Sequence, residues 1–148
     1  AEATDHIGKN EVYIVTGGDR RCSYFGEIMT ATIRHRGAVG AVIDGYIRDT
    51  RQILEQNFPV FSMGRDAQGS LYRNQVIRYG CQVEIGNIRI NPGDLIFGDI
   101  DGVVVIPREI EEKAITITLA KVRGEKDTRK AIENGMSATK AVETFGAF

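Results

Sequence analysis

Arg48 and Asp49 are an adjacent cation and anion that follow a strongly apolar segment. A guanidinium can bind a carboxylate through two parallel hydrogen bonds, and an aspartate can hold a hard divalent cation. A predicted helix begins nearby at Gly26 and Glu27, and a helix N-terminus offers free N–H groups to an anion. Together these groups predict a site for a small keto-acid. An ordinary surface pair, in which Asp49 caps the helix that follows it, is the open alternative.

The predicted first helix begins at Gly26 because the apolar residues that follow recur at helical spacing. Gly37, which comes after Arg36, predicts a left-handed stop. The helix would therefore present the N–H groups of its first turn at residues 26–29. Its apolar positions are Ile28, Met29, Ala31 and Ile33.

The segment from Ala38 to Ile43 is apolar at every position. Such a run predicts a central strand that is covered on both faces. Asp44 and Gly45 then predict a turn. We therefore expect the strand and its turn to bring Arg48 and Asp49 close to the N-terminus of the first helix.

Strands and helices alternate through the first half of the chain. A strand is predicted over Glu11 to Thr16, a helix from about Arg48 to Gln56 with Ile53 and Leu54 as its apolar contacts, and a short parallel strand over Val60 to Ser62. With the helix and strand described above, this order predicts an α/β arrangement with right-handed crossovers. The glycines at 17 and 18 are either an ordinary turn or a loop that approaches a ligand closely.

From Leu71 onward the pattern changes to short strands separated by tight turns, which predicts hairpins and a small barrel-like sheet. Asp99 and Asp101 lie in one of these turns. Because the twelve-residue calcium pattern is absent, turn chemistry is the better interpretation, although Asp99 is a candidate to face the site. The candidate strands are Ser70 to Tyr79, Gln82 to Glu84, Ile88 to Ile90, Leu95 to Phe97 and Val103 to Ile106.

A long helix is predicted after Pro107, which ends the last strand. Its first turn is acidic and its later part carries basic residues, as the helix dipole favours. Gly124 predicts a break in this helix and Gly135 a C-terminal cap. Ser137 predicts the N-cap of a last short helix that runs to about Thr144.

Composition restricts the function classes. The chain has 148 residues, of which 42% are hydrophobic and 26% are charged, and its formal net charge is −1. These values predict a single globular domain with no overall field that would attract nucleic acid. No apolar run approaches the ~20 residues that span a bilayer, so a cytoplasmic protein without a membrane partner is expected. Cys22 and Cys81 match no disulfide framework or metal spacing and are interpreted as free thiols.

Five segments carry a more specific pattern: residues 17–21 (GGDRR), 24–27 (YFGE), 37–49 (GAVGAVIDGYIRD), 59–61 (PVF) and 92–107 (PGDLIFGDIDGVVVIP). In this order they resemble the RraA-like family, over nearly the whole chain. That family includes 4-hydroxy-4-methyl-2-oxoglutarate and 4-carboxy-4-hydroxy-2-oxoadipate aldolases and the regulator of ribonuclease E activity. The resemblance implies an α/β fold, a mixed-sheet α/β/β sandwich of the swivelling-domain type with a long C-terminal helix. One domain over residues 1–148 is expected, without the further N-terminal helical segment that relatives carry.

The resemblance also implies a chemistry. In its aldolase branch, a divalent metal, Mg²⁺ or Mn²⁺, is held by an aspartate and water, and the pyruvyl part of a small 2-oxo-acid substrate chelates it. The expected reactions are retro-aldol cleavage of 4-hydroxy-2-oxo-diacids and decarboxylation of oxaloacetate. A homotrimer or a dimer of trimers is expected, with sites at the subunit boundaries.

Carried onto this chain, the resemblance implies a role for each candidate residue. Asp49 is the metal ligand and Arg48 binds the substrate oxygens. The substrate carboxylate lies at the helix N-terminus, and Arg20 helps to bind the anion. The Glu27 side chain holds a water on the metal, and Glu125 is the candidate carboxylate from a neighbouring subunit. The carboxylate-binding positions are Gly26, Glu27, Ile28 and Met29.

One departure from the family pattern affects the choice of reaction. Active aldolases carry an acidic residue three positions after the metal-binding aspartate, and here that position is Gln52. A neutral amide cannot act as a base, so efficient aldol cleavage is in question, whereas oxaloacetate decarboxylation does not need it. The alternative function is a non-catalytic regulator that binds and inhibits an RNA-processing endonuclease through its outer surfaces.

Overall fold

The computed structural model describes residues 2–19 and 21–146. The chain forms two units, of which the first ends at Val105 and the second begins at Ile106. The fold is α/β with several sheets and a long C-terminal helix, so the predicted fold class is confirmed. The elements of the first unit are α1 (Glu2–Asp5), β1 (Val12–Val15), β2 (Ser23–Phe25), α2 (Glu27–His35), β3 (Gly40–Ile47), α3 (Thr50–Glu55), β4 (Val60–Arg65), β5 (Val83–Ile85), β6 (Ile88–Ile90), β7 (Leu95–Asp99) and β8 (Gly102–Ile106), whose last residue begins the second unit.

β3 is the central strand of a four-stranded parallel sheet. β4 pairs with residues 41–47 of β3, β1 with residues 40–43 of β3, and β2 with residues 46–47 of β3. Since Ala41 and Tyr46 pair with β4 as well, β1 and β2 lie one after the other along the opposite edge of β3. β3 is therefore covered on both edges, as its apolar sequence predicts.

Asp44 and Gly45 lie inside β3, so the predicted turn at these residues is wrong. The strand continues to Ile47, and its register with β4 shifts where the two residues lie. A Cβ atom at Gly45 would overlap the ring of Tyr24, whose hydroxyl donates a hydrogen bond to the Asp44 carbonyl oxygen. Gly45 therefore leaves space for an aromatic ring at an irregular position of the strand.

The core of the first unit lies between the parallel sheet and the helices. α2 contributes Ile33, which is fully buried, and ends where predicted, since Gly37 has φ 93°. α3 contributes Ile53, but Leu54 is 71% exposed, so the prediction of Leu54 as an apolar contact is wrong. The buried cluster consists of Tyr13, Phe25, Ile33, Ala38, Ala41, Ile43, Ile47, Ile53 and Phe58.

The predicted hairpins form as two separate two-stranded sheets, β5 with β6 and β7 with β8, so among the described residues they do not close into a barrel. The predicted strand from Ser70 to Tyr79 is wrong, because this segment is irregular. Tyr72 has φ 63°, and the Ser70 carbonyl accepts bonds from the backbone N–H groups of Arg73 and Asn74. A left-handed residue and a local turn are incompatible with a continuous strand.

The second unit is helical. A 3₁₀ turn (Arg108–Ile110) leads into α4 (Glu111–Glu133), and α5 (Ala138–Phe145) follows. α4 passes Gly124 without interruption, so the predicted break is wrong; a glycine costs a helix only ~1 kcal/mol relative to alanine. Gly135 has φ 92° and directly follows Asn134, the C-cap residue of α4. The Ser137 hydroxyl caps α5, as predicted, by accepting from the Lys140 N–H at 3.3 Å.

Among the described residues, no helix combines the length and the apolar character that crossing a membrane requires.

Candidate functional site

Arg48 and Asp49 follow the carboxyl end of β3 directly. The Arg48 backbone N–H donates to the Phe25 carbonyl oxygen at 3.0 Å, which continues the pairing between β3 and β2. Asp49 then adopts a left-handed conformation, with φ 57° and ψ 34°, immediately before α3. Aspartate tolerates this region better than most residues with a Cβ atom. The sharp change of direction turns its side chain away from α3.

The Asp49 carboxylate caps α2 and not α3. Its Oδ2 atom accepts from the Glu27 backbone N–H at 3.2 Å and lies 3.5 Å from Arg48 Nε, whereas it makes no capping bond to α3. The alternative that Asp49 caps the helix that follows it is therefore wrong. Its Oδ1 atom has no bonding partner among the described residues. A carboxylate at this place is favoured by the dipole of α2.

The first turn of α2 has further free donors. Gly26 is the N-cap in extended conformation and provides no side chain to cap the helix. The N–H of Thr30 is bonded to the Gly26 carbonyl and that of Glu27 to Asp49. The N–H groups of Ile28 and Met29 have no acceptor in the part of the chain that the structure describes. Two donors are thus available to an anion beside Asp49.

Glycine at position 26 is required by the close approach of the Arg48–Asp49 pair. A Cβ atom there would lie 2.5 Å from Asp49 Oδ2 and 3.2 Å from Arg48 Cγ. The first contact is far shorter than any real Cβ contact. The absence of a side chain at Gly26 therefore allows the carboxylate to reach the helix.

These groups surround a pocket of about 80 Å³. A water molecule needs roughly 10–15 Å³ of such a cavity, so the pocket has room for several waters or a small organic acid. Its residues come from β2, α2, the end of β3 and the segment after β4. They are Ser23, Tyr24, Phe25, Gly26, Ile28, Met29, Arg48, Asp49 and Ser70.

Five of the residues selected from the sequence meet in this pocket: Gly26, Ile28, Met29, Arg48 and Asp49. Glu27 contributes its backbone N–H to Asp49, but its side chain does not line the pocket. Gln52 is exposed and also lies outside the lining. The predicted roles of these residues stay predictions.

The remaining selected residues are Glu125 and Arg20. Glu125 is on α4 in the second unit, where its Oε1 atom is 3.7 Å from Lys121 Nζ. Arg20 lies outside the described residues. Its neighbour Arg21 is paired with Asp19 at 2.8 Å, and the hydrogen bonds from Arg21 lower the pKa of the Asp19 carboxyl to about 2. The Arg21 guanidinium is therefore paired within its own loop, with Asp19.

Sequence reasoning missed four lining residues: Ser23, Tyr24, Phe25 and Ser70. The first three form β2, which is too short to show a period of two. The ring of Tyr24 lies against Gly18 and Gly45, and a Cβ atom at Gly18 would be 2.5 Å from the ring, but the sequence does not show which ring these glycines accommodate. Ser70 had no sequence signal, since it reaches the pocket through an irregular segment.

Comparisons with known proteins identify the family of this chain. The sequence matches the RraA-like family, described as Aldolase/RraA, over residues 1–105. The chain belongs to the RraA-like family. The resemblance recognised from the five sequence segments is thus confirmed, and the match coincides with the first unit, which contains the pocket.

Two relatives illustrate this membership. Protein DlpA of Legionella pneumophila is 30% identical over 146 residues, which cover 98% of this chain but 24% of that protein. A protein of Halalkalibacterium halodurans named "Putative 4-hydroxy-4-methyl-2-oxoglutarate aldolase" is 32% identical over 130 residues, which cover 88% of this chain and 61% of that protein. The chain therefore spans less than two thirds of the length of these two relatives.

Solved structures show the same fold. A crystal structure of an uncharacterized protein from Pseudomonas syringae has a TM-score of 0.93 and 30% identity, covering 97% of this chain and 68% of that one. Streptomyces coelicolor RraAS2, described as an unusual member of the RNase ES inhibitor RraA protein family, has a TM-score of 0.76 over 85% of this chain and 65% of its own. At 24% identity, this similarity shows a shared fold and nothing further.

Proposed function

We propose that this chain carries the site of a divalent-metal-dependent lyase that acts on pyruvyl substrates. The observation that carries the proposal is the position of the Asp49 carboxylate between the Glu27 N–H and Arg48 Nε, beside the free N–H groups of Ile28 and Met29. An anion-binding helix terminus, a guanidinium and a carboxylate oxygen that no described residue binds share one small pocket. A 2-oxo acid, with its carboxylate and neighbouring ketone, matches this set.

The donors fit Mg²⁺ or Mn²⁺. Mg²⁺ keeps several waters and is bound through one or two carboxylates together with its substrate. Asp49 lines the pocket and offers Oδ1, while Oδ2 is held by the protein. The described residues contain no group of three or more His, Cys, Asp or Glu side chains that could form a closed protein cage. A site with one carboxylate therefore favours a hard, water-rich ion.

Each protein group has a distinct task in the proposed reaction. The N–H groups of Ile28 and Met29 bind the substrate carboxylate, and the Arg48 guanidinium stabilises the negative charge that develops on the ketone oxygen. Asp49 would hold the metal ion, which would supply Lewis acidity to the substrate. The bond between C3 and C4 breaks, its electron pair remains on C3 as the pyruvate enolate, and C3 then takes up a proton. The C4 fragment leaves as a carbonyl compound or as CO₂.

Decarboxylation is the reaction that the described pocket supports more fully. Retro-aldol cleavage needs a base to remove the proton of the C4 hydroxyl, whereas loss of CO₂ from oxaloacetate needs none. Gln52 is neutral, and Asp49 is the pocket's carboxylate among the described residues. We therefore propose oxaloacetate decarboxylation as the main activity, with aldol cleavage slower.

We also propose that the working form is a homotrimer or a dimer of trimers, in which Glu125 of one subunit completes the pocket of another. This proposal rests on the family resemblance, and on a pocket whose described residues supply no general base. Light scattering of the protein at micromolar concentration tests the assembly. A monomer of 16.3 kDa alone would overturn it.

A single assay tests the proposed activity. Pyruvate release is measured from oxaloacetate and from a panel of 4-hydroxy-2-oxo-diacids, with Mg²⁺, with Mn²⁺ and with a chelator. We expect release that requires the metal and is fastest from oxaloacetate. No metal-dependent release from any substrate would overturn the lyase proposal and favour the protein-binding regulator.

A further inference from the structure

A second side of the pocket is lined by Ser70, which ends the segment of residues 66–70 after β4. The Asp66 N–H donates to the Ile47 carbonyl at 3.0 Å, and the Gln68 carbonyl accepts from both the N–H and the hydroxyl of Ser23, at 2.7 and 3.0 Å. The segment therefore crosses from β4 to β2 past the carboxyl end of β3. Ligands of parallel sheets bind at this end of the strands.

This segment touches Arg48. A Cβ atom at Gly69 would overlap Arg48 Nη1, so the guanidinium lies directly against the backbone of residue 69. The next residue, Ser70, lines the pocket. Consecutive Cα atoms, such as those of residues 69 and 70, are about 3.8 Å apart. One or two additional carbon atoms lengthen a substrate by a comparable distance. Ser70 is thus placed for the part of the substrate that lies beyond the atoms held by Arg48.

Ser70 also has a polar side chain in the lining that no described residue binds. Its carbonyl is fixed by the N–H groups of Arg73 and Asn74, at 2.8 and 3.1 Å, but its hydroxyl has no partner in the described chain. The hydroxyls of Ser23 and Tyr24 are bonded to the carbonyls of residues 68 and 44. Away from Arg48 and Asp49, the other lining side chains are apolar.

We propose that Ser70 is a specificity-determining residue that binds an oxygen substituent on C4 of the substrate. The partner is the C4 carboxylate of oxaloacetate or the C4 hydroxyl of a 4-hydroxy-2-oxo acid. A site with a hydrogen-bonding group for a substrate oxygen rejects analogues that lack it, because its own polar group is then left unpaired. This inference rests on the proposed function.

The test compares wild type with Ser70→Ala, Ser70→Thr and the control Ser62→Ala. Ser62 is an exposed serine on β4 that lies outside the pocket lining. For each protein, kcat/KM is measured with oxaloacetate and with a 4-hydroxy-2-oxo acid. Binding of 2-oxobutanoate, in which C4 is a methyl group without oxygen, is measured by calorimetry in the presence of Mg²⁺.

We expect Ser70→Ala to lower kcat/KM for oxaloacetate by about 10- to 100-fold, as for a hydrogen bond to a charged group, and to leave 2-oxobutanoate binding within about twofold. A smaller loss is expected for the C4 hydroxyl, which is neutral. Ser70→Thr, which keeps the hydroxyl, is expected to recover most of the activity, and Ser62→Ala to behave as wild type.

Two outcomes would overturn the role of Ser70 alone: unchanged turnover in Ser70→Ala, or an equal loss of turnover and of 2-oxobutanoate binding. The second would indicate a distorted pocket. A wild-type protein that neither turns over these acids nor binds 2-oxobutanoate would overturn the proposed function together with this inference.

Discussion

The two sides of the pocket are built by different means. On one side, the end of β3 and the start of α2 are fixed by sheet hydrogen bonds and by a core in which Phe25, Ile33 and Ile47 are at most 5% exposed. On the other side, residues 66–74 form no helix or extended strand and depend on a few polar contacts. In the proposed function, the groups that bind the keto-acid part common to all substrates thus belong to the rigid core. The side proposed to meet the variable part of the substrate is held by local contacts.

This difference suggests how the site can be altered. A change on the side of β3 and α2 must displace packed backbone, so it affects every substrate. A change in residues 66–74 disturbs a less extensively bonded segment, and such segments open at lower free energy than the core. The following variants test the contrast, beginning with the largest expected effect.

Gly26→Ala breaks the side formed by β3 and α2. The new Cβ atom would lie 2.5 Å from Asp49 Oδ2, so the carboxylate must leave the Glu27 N–H. Loss of such a preorganised contact lowers kcat/KM by about 10²- to 10³-fold for all substrates. Gly40→Ala is the matched control, because its Cβ atom meets the Pro59 carbonyl at an ordinary 3.4 Å. Equal activities of the two variants would contradict the prediction.

Gly69→Ala acts where the two sides meet. Its Cβ atom displaces the Arg48 guanidinium, which can move because it ends a flexible side chain. Weaker binding of the substrate oxygens raises KM and lowers kcat/KM by about 10- to 100-fold. The affinity for Mn²⁺, measured by electron paramagnetic resonance without substrate, stays near that of wild type because Asp49 keeps its bond to the Glu27 N–H. A parallel loss of Mn²⁺ binding would show that the two sides are not separable.

Gln52→Glu adds a carboxylate in the first turn of α3, three residues after Asp49. The resemblance to active aldolases predicts that it raises aldol cleavage severalfold relative to oxaloacetate decarboxylation. The ratio of the two kcat/KM values measures this change, with Glu55→Gln, an exposed position on the same helix, as control. An unchanged ratio would mean that position 52 takes no part in the chemistry.

Asn74→Ala weakens the side formed by residues 66–74 and has the smallest expected effect on activity. The Asn74 side chain accepts from the Asp19 N–H at 2.8 Å and donates to Cys22 Sγ at 3.2 Å. Its removal leaves these groups without partners, which lowers the free energy of unfolding by about 1–3 kcal/mol. Urea denaturation measures this change. A midpoint equal to that of wild type would show that other contacts hold the segment.

The sequence predicts the side of the pocket formed by β3 and α2 better because its signals are local. Apolar runs indicate β3 and α2, and Gly37 indicates where α2 ends, so Arg48 and Asp49 could be placed beside Gly26. Gly45 misleads, because a glycine that accommodates an aromatic ring looks like a turn glycine. The contact depends on Tyr24, twenty-one residues earlier in the chain, and periodicity cannot show it.

The segment containing Ser70 could not be predicted for the same physical reason. Its β-branched and aromatic residues favour a strand, but long-range bonds from Ser23 to Gln68 and from Asn74 to the Asp19 loop determine its path. Local propensity is overridden where such tertiary contacts satisfy the backbone. Asp49 shows a related limit, since nothing local indicates that it caps the preceding helix rather than the following one.

The central claim is that the Asp49 carboxylate holds the metal on which turnover depends. Asp49→Asn tests it most directly, because asparagine tolerates the left-handed conformation and keeps an oxygen for the Glu27 N–H, but loses the charge. Asp101→Asn, an exposed turn residue outside the pocket lining, is the control. Mn²⁺ binding and kcat/KM for oxaloacetate are measured for both. We predict that Asp49→Asn loses Mn²⁺ binding and metal-dependent turnover while Asp101→Asn retains both; wild-type binding and turnover in Asp49→Asn would contradict the account.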